Sequence, residues 1–83
     1  MTVRVVLSTG FSLRHTNGEK EFEVEAKNLR GVLSAMDERF PGLADYLMEE
    51  TTVAIDGEIH EVAYFQPVHD GSEVFFIPKL EAG

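Results

Sequence analysis

The stretch Glu73–Gly83, EVFFIPKLEAG, runs from an alternating apolar segment through a proline into five residues that finish on a glycine. Successive side chains of a strand point to opposite faces, so Val74 and Phe76 share one face with Val5 of an earlier strand, while Phe75 and Ile77 join Val6 on the other. Pro78 withholds a ladder donor and helps to end the strand. Beyond it, Ala82 and Gly83 carry too little apolar surface to offset the entropy of being fixed, so Lys79–Gly83 is expected to be an extended, flexible tail on a folded body of residues 1–78. Such an ending is either an accident or the working end of the molecule.

Working outward, Thr2–Ser8 (TVRVVLS) places Val3, Val5 and Leu7 on one face and Val6 on the other, the mark of a central strand. Thr9–Gly18 holds Gly10 and the pair Asn17-Gly18 and reads as a turn region. In EKEFEVEA, Phe22, Val24 and Ala26 alternate with Glu21, Glu23 and Glu25, which predicts a second strand, buried on one face and solvated on the other, paired with the first as a hairpin. Asn28 then offers a side-chain oxygen to the free amides of a helix whose apolar positions are Leu29, Val32, Leu33, Met36 and Phe40. Pro41-Gly42 ends that helix, and Leu43–Glu50 reads as a short second helical turn. TTVAI is a third strand, Asp56-Gly57 a turn, Glu58–Glu61 a short return strand, and Gln66–Ser72 a loop leading into the last strand. The expected fold class is α+β: a mixed four- to five-stranded sheet with one main helix packed on one face.

The 83 residues suffice for one domain with one core and leave little room for a deep catalytic cleft. No apolar run approaches the length of a membrane span, and no basic start followed by a long apolar stretch precedes MTVRVVL, so the expected home is the cytoplasm. Without cysteine there is no disulfide, thiol nucleophile or thiolate metal site. The formal net charge of -8 disfavours nucleic acid and anionic membranes, which are bound by cancelling negative charge, and favours a basic protein partner.

His15, His60 and His69 are far apart in sequence and sit beside turn residues, with no spacing that would bring two rings to one metal, so no metal site is expected. Glu19, Glu21, Glu23 and Glu25 put carboxylates on one strand face, where mutual repulsion favours water over an acid–base pair. No glycine-rich stretch runs from a strand into a helix N-terminus, so no phosphate loop is present. What remains is the α-carboxylate of Gly83, ionised at neutral pH and inert as an acyl donor until something activates it. Five residues beyond Pro78 would reach ~17 Å when extended, enough to enter a partner's active site while the body stays outside.

The order of elements together with DGSEVFFIPKLEAG (Asp70–Gly83) resembles the small sulfur-carrier proteins of the ubiquitin-like, β-grasp superfamily: the molybdopterin synthase small subunit and the thiamine-pathway sulfur carrier. Asp70-Gly71-Ser72-Glu73-Val74 is similar to the family's turn before its last strand, Phe75-Phe76-Ile77-Pro78 to its apolar strand and proline, and Gly83 to its sulfur-bearing terminal glycine. One position departs from the pattern. Ala82 stands where the family has a second glycine and brings a methyl group into any channel built for glycine.

The resemblance implies first and last strands lying side by side and parallel. It also implies a carrier rather than an enzyme: Gly83 is adenylated by an E1-like adenylating enzyme that uses ATP, converted to a thiocarboxylate, and made to donate sulfur to a synthase subunit, with a molybdopterin precursor as first choice of acceptor and thiamine thiazole as second. Lys79, Leu80, Glu81 and Ala82 would thread the partner's channel, and Val6, Phe75 and Ile77 would dock against it. No cofactor would be held stably, and the free protein would be a monomer. The same activated glycine could instead be joined to a lysine, as in a ubiquitin-like modifier, or the tail could be inert on an interaction domain.

Overall fold

The computed structural model describes residues 1–60 and 66–78, with His60 through its backbone alone. The elements run β1 (Thr2–Leu7), α1 (Thr9–His15), β2 (Glu21–Glu25), α2 (Leu29–Arg39), α3 (Leu43–Glu50), β3 (Thr51–Ile55), β4 (Glu58–His60) and β5 (Glu73–Pro78). They build a five-stranded sheet in the order β2-β1-β5-β3-β4. β1 and β5 are parallel, and the other pairs are antiparallel. The first and last strands thus meet side by side at the middle of the sheet, as the resemblance implies.

The helices cover one face. Leu29, Val32, Leu33 and Met36 of α2 are buried with Val3, Val5, Leu7, Phe22 and Val24, the sets that periodicity assigns to each other. Val53, Ile55, Val74 and Phe76 continue that core across the sheet, and Leu43 and Leu47 of α3 close it above β3. Phe40 was expected among the fully buried residues but is only half-buried: it follows the last turn of α2 and rests edge-on against Phe22, with ring centroids 5.7 Å apart. Val68 joins the core from the loop before β5, a position with no periodic signal in the sequence.

Thr9–His15 forms a helix where the sequence reading expected a turn. The Ser8 side chain accepts from the Phe11 amide as an N-cap, and Phe11 and Ser12 are buried beneath the helix. Burial of one phenylalanine therefore outweighs the turn preference of Gly10. The expected turn residues do act, but later: Asn17 and Gly18, both at positive φ, carry the chain from α1 into β2. β1 and β2 remain antiparallel neighbours, joined through a helix rather than a tight hairpin turn. Leu43–Glu50 is a helix of 8 residues rather than a single turn, led in by Gly42 at φ 89° and by the Asp37 carboxylate, which accepts from the Gly42 and Ala44 amides. The division at residue 78 and the expected flexibility of 79–83 concern residues outside those described.

A polar network pins the register of β5. Asp56 lies at φ 49° in the β3–β4 turn, and its carboxylate accepts from the Glu73 amide at 3.0 Å and from the Ser72 hydroxyl at 2.9 Å. The buried Ser72 hydroxyl in turn accepts from the His69 amide. The backbone amide of Glu73, and then the Ser72 hydroxyl, hold the Asp56 carboxyl below its ordinary value, outweighing a small opposing effect of burial.

These observations lead to two expectations. Leu33→Ala should lower stability by about 2–5 kcal/mol, read from the midpoint and slope of urea unfolding. Since the folded-state pKa of Asp56 is depressed, its contribution is present in full above the unfolded carboxyl's pKa of ~3.9 and is lost as pH falls through the folded value. Asp56→Asn should therefore weaken the fold at neutral pH and make the acid-side decline in stability shallower, which unfolding curves at a series of pH values will show.

Candidate functional site

The face of the sheet turned away from the helices divides into two halves. Val6 lies opposite Phe75, Phe75 opposite Ala54, Ala54 opposite Ile59, and Ile77 opposite Thr52, so one apolar surface spans four strands. Val6, Phe75, Ala54 and Thr52 are half-buried by one another, whereas Ile77 is 36% and Ile59 69% exposed. The other half is charged: Arg4 stands between Glu23 and Glu73 and pairs with Glu21, and the Glu25 carboxylate accepts from the Thr2 hydroxyl at 2.6 Å. The Glu25 carboxyl is held below its ordinary value, first by that hydroxyl and then by the terminal ammonium.

The structure therefore brings Val6, Phe75 and Ile77 together on the face that the sequence phase assigns them. It adds Ala54 and Ile59, which the sequence reading missed. The signal for Ile59 was a bulky apolar residue in a short strand otherwise made of polar ones, and it acquires meaning only through the β3–β4 register. Lys79, Leu80, Glu81, Ala82 and Gly83 lie outside the described residues. Their point of departure is described: Pro78 pairs with Thr51 at the start of β3. The described chain thus ends at one end of the β3–β5 ladder, beside the apolar half of the open face.

His15 is placed by packing. It sits between the tilted ring of Phe11 (centroids 4.5 Å) and the stacked ring of Tyr46 (4.3 Å), with Nε2 3.3 Å from the Glu50 carboxylate, where it joins α1 to α3. The His69 backbone belongs to the Ser72 turn. Among the described residues no group of His, Cys, Asp or Glu is arranged to hold a metal ion. A shallow depression of about 340 Å³ lies between α2 and α3, lined by Arg30, Ser34, Asp37 and Asp45 with Leu33 and Met48. Among the described residues no helix is long and apolar enough to cross a membrane.

The fold is the ubiquitin-like β-grasp. No protein-family model and no curated protein matches the chain. Solved structures do. A chain of the BexX/CysO complex of Amycolatopsis orientalis superposes with a TM-score of 0.82 at 21% identity, over 98% of this chain and 99% of that one. Small archaeal modifier protein 1 from Methanosarcina acetivorans gives 0.75 at 19%, over 99% and 96%. A chain of the complex of subunits 1 and 2 of the molybdopterin-converting factor from Helicobacter pylori gives 0.70 at 20%, over the whole of both chains. At such identities the likeness establishes the fold, and a fold hosts many functions.

The phase of β5 can be checked by paired substitutions. Phe76→Ala, on the core face, should cost about 3–5 kcal/mol, whereas Ile77→Ser, one residue on, should change stability by less than ~0.5 kcal/mol. Thermal unfolding of the two variants separates them.

Proposed function

We propose that this protein is a sulfur carrier of the cytoplasm, a substrate of enzymes rather than an enzyme, whose working group is the α-carboxylate of Gly83. The observation that carries the reading is the placement of β5: held between β1 and β3, it delivers the chain at Pro78 from a rigid strand beside an exposed apolar face. The body is then a handle, and Val6, Phe75 and Ile77, with Ala54 and Ile59, are the surface by which partners grip it.

In the first step the Gly83 carboxylate attacks the α-phosphorus of ATP in the active site of an E1-like adenylating enzyme, forming an acyl adenylate and releasing pyrophosphate. Sulfide-level sulfur (HS⁻) then attacks the acyl carbon, AMP leaves with the electrons of the acyl C–O bond, and a thiocarboxylate remains. The absence of a side chain on Gly83 lets that nucleophile approach the acyl carbon unhindered. In the last step a synthase partner takes the sulfur, a molybdopterin precursor being the first choice of acceptor and thiamine thiazole the second. The molybdopterin choice is supported by the likeness to a chain of the molybdopterin-converting factor complex. A second reading, conjugation of the activated Gly83 to a lysine, is supported by the likeness to a small archaeal modifier protein.

Intact mass of the protein from its native host separates the two: a carrier gains one sulfur in place of one oxygen, and a modifier appears joined to larger proteins. Deleting Gly83 should abolish ATP-dependent adenylate and thiocarboxylate formation with the cognate enzyme while leaving the melting temperature within a degree or two of wild type. Ala82→Gly should match or exceed the wild-type rate, because it removes a methyl group from the threaded segment. Equal product from the protein lacking Gly83 would overturn the carrier reading.

A further inference from the structure

The helix-covered side of the molecule carries a groove of its own. Residues 40–42 join α2 to α3, and in the shallow depression of about 340 Å³ between the two helices buried Leu33 and half-buried Ala44 and Met48 supply the apolar lining. Arg30, Ser34 and Asp37 follow one another at helical spacing along the α2 rim, while Asp45, in the first turn of α3, stands on the other rim. Arg30 precedes Asp37 by two helical turns, about 10.5 Å along the axis. Asp45 follows Ala44, whose amide donates to Asp37, so the two carboxylates share one end of the groove and the guanidinium marks the other.

These charges stand apart from the pairing found elsewhere on the surface. Arg4 and Arg14 hold carboxylates and Arg39 a carbonyl, whereas Arg30 and Asp45 have no hydrogen bond or ion pair among the described residues. Asp37 is fixed through one oxygen, which accepts from the Gly42 and Ala44 amides at 3.0 and 3.2 Å, and its other oxygen has no partner among the described residues. The depression is too shallow to bury most of a small molecule, as a small-ligand site does. A helix brings its own volume, and the channel between two packed helices accepts the side-chain ridge of a third. A second copy is disfavoured as the occupant, because each chain carries a net charge of -8.

We propose that the α2–α3 groove is a docking site for one helix of a partner protein, which sets an acidic side chain opposite Arg30, a basic one seven residues later opposite Asp37 and Asp45, and apolar side chains between them over Leu33 and Met48. The apolar contact anchors the helix. The charges fix its direction. Acidic residues are favoured toward the N-terminus of a helix and basic ones toward its C-terminus, so the partner helix runs in the same sense as α2. Reversing it would bring like charges together at both ends of the groove, which is how surface charge selects one orientation over another. The site lies on the opposite side of the sheet from Val6, Phe75 and Ile77. It uses no part of the tail, so it stands whether or not Gly83 carries sulfur.

The test is titration of the isotope-labelled full chain with the capped peptide Ala-Gln-Glu-Ala-Gln-Leu-Leu-Gln-Ala-Lys-Ala-Gln-Ala, held helical by a hydrocarbon link on its outer face and followed by amide and methyl shifts. Shifts should move at Arg30, Ser34 and Asp45 and at the Met48 methyl, with Phe75 and Ile77 unmoved. The same peptide with its Glu and Lys exchanged should bind about fivefold more weakly or worse, within the range of two exposed charge pairs. A peptide with Lys at both positions should also bind more weakly, although its greater positive charge suits an acidic chain better. Arg30→Glu is an exposed change in the first turn of α2 and should leave the melting temperature within a degree or two of wild type. It should reverse that last preference. Equal binding of the two exchanged peptides would show attraction without register and overturn the proposal. So would shifts centred on the open face of the sheet, or no shift at Arg30 and Asp45 at millimolar peptide. Concentration-dependent shifts at the same residues in the protein alone would make a second copy the occupant and overturn it as well.

Discussion

The parallel pairing of β1 with β5 is the constraint from which the rest of the molecule follows. Val5 and Val74, directly opposite one another, are both wholly buried, and Leu7 and Phe76 continue the same row. A parallel pair cannot be closed by a tight turn, because the second strand must start at the same end as the first. Everything between Leu7 and Glu73 is therefore crossover: β2 flanks the pair on one side and the β3–β4 hairpin on the other, with α2 packed over β2 and against α3, which lies over β3. The pairing also explains why the ends of the described chain matter. It brings the strand that begins the fold and the strand that ends it to the most protected position in the sheet, so the segment after Pro78 is rooted in the most heavily packed part of the structure.

A strand in that position must satisfy both of its neighbours at once, and a slip of one residue would invert its faces. Two features prevent the slip. On the core face, Val74 and Phe76 fill space beneath the helices that Phe75 and Ile77 are placed to leave alone. At the entrance to the strand, the Asp56 carboxylate takes the Glu73 amide and the Ser72 hydroxyl together. The open face is consequently a by-product of core packing and register, and its division into an apolar and an acidic half reflects which strands border β5 and which border β2. That division gives one small domain two chemically different surfaces, one apolar beside the end of β5 and one ion-paired along the far edge.

How far the site was legible depended on the range of the interaction involved. The alternation in EVFFI was enough to separate Phe75 and Ile77 from Val74 and Phe76, because strand geometry is local. Val6 could be joined to them through the expected parallel neighbour. Ala54 and Ile59 could not, since their place beside Phe75 depends on two further registers that no local pattern encodes. Thr9–His15 departs from its local signal for a related reason: glycine and the Asn17-Gly18 pair favour a turn, while the burial of Phe11 that favours a helix depends on contacts supplied by distant segments.

By itself the sequence determined the class of the fold, the length and phase of most strands, the span of α2 with its Asn28 cap, the lack of thiol chemistry and the acidic character of the chain. These rest on periodicity, capping and composition, which act over a few residues or over the chain as a whole. Only the tertiary structure decided that α1 exists, that Phe40 stops short of full burial, that His15 packs between Phe11 and Tyr46, and that Arg39 of α2 reaches the Glu23 carbonyl of β2. Each of these depends on which groups meet across long stretches of chain, and the free energy of such meetings is settled by packing, after local preference has done what it can.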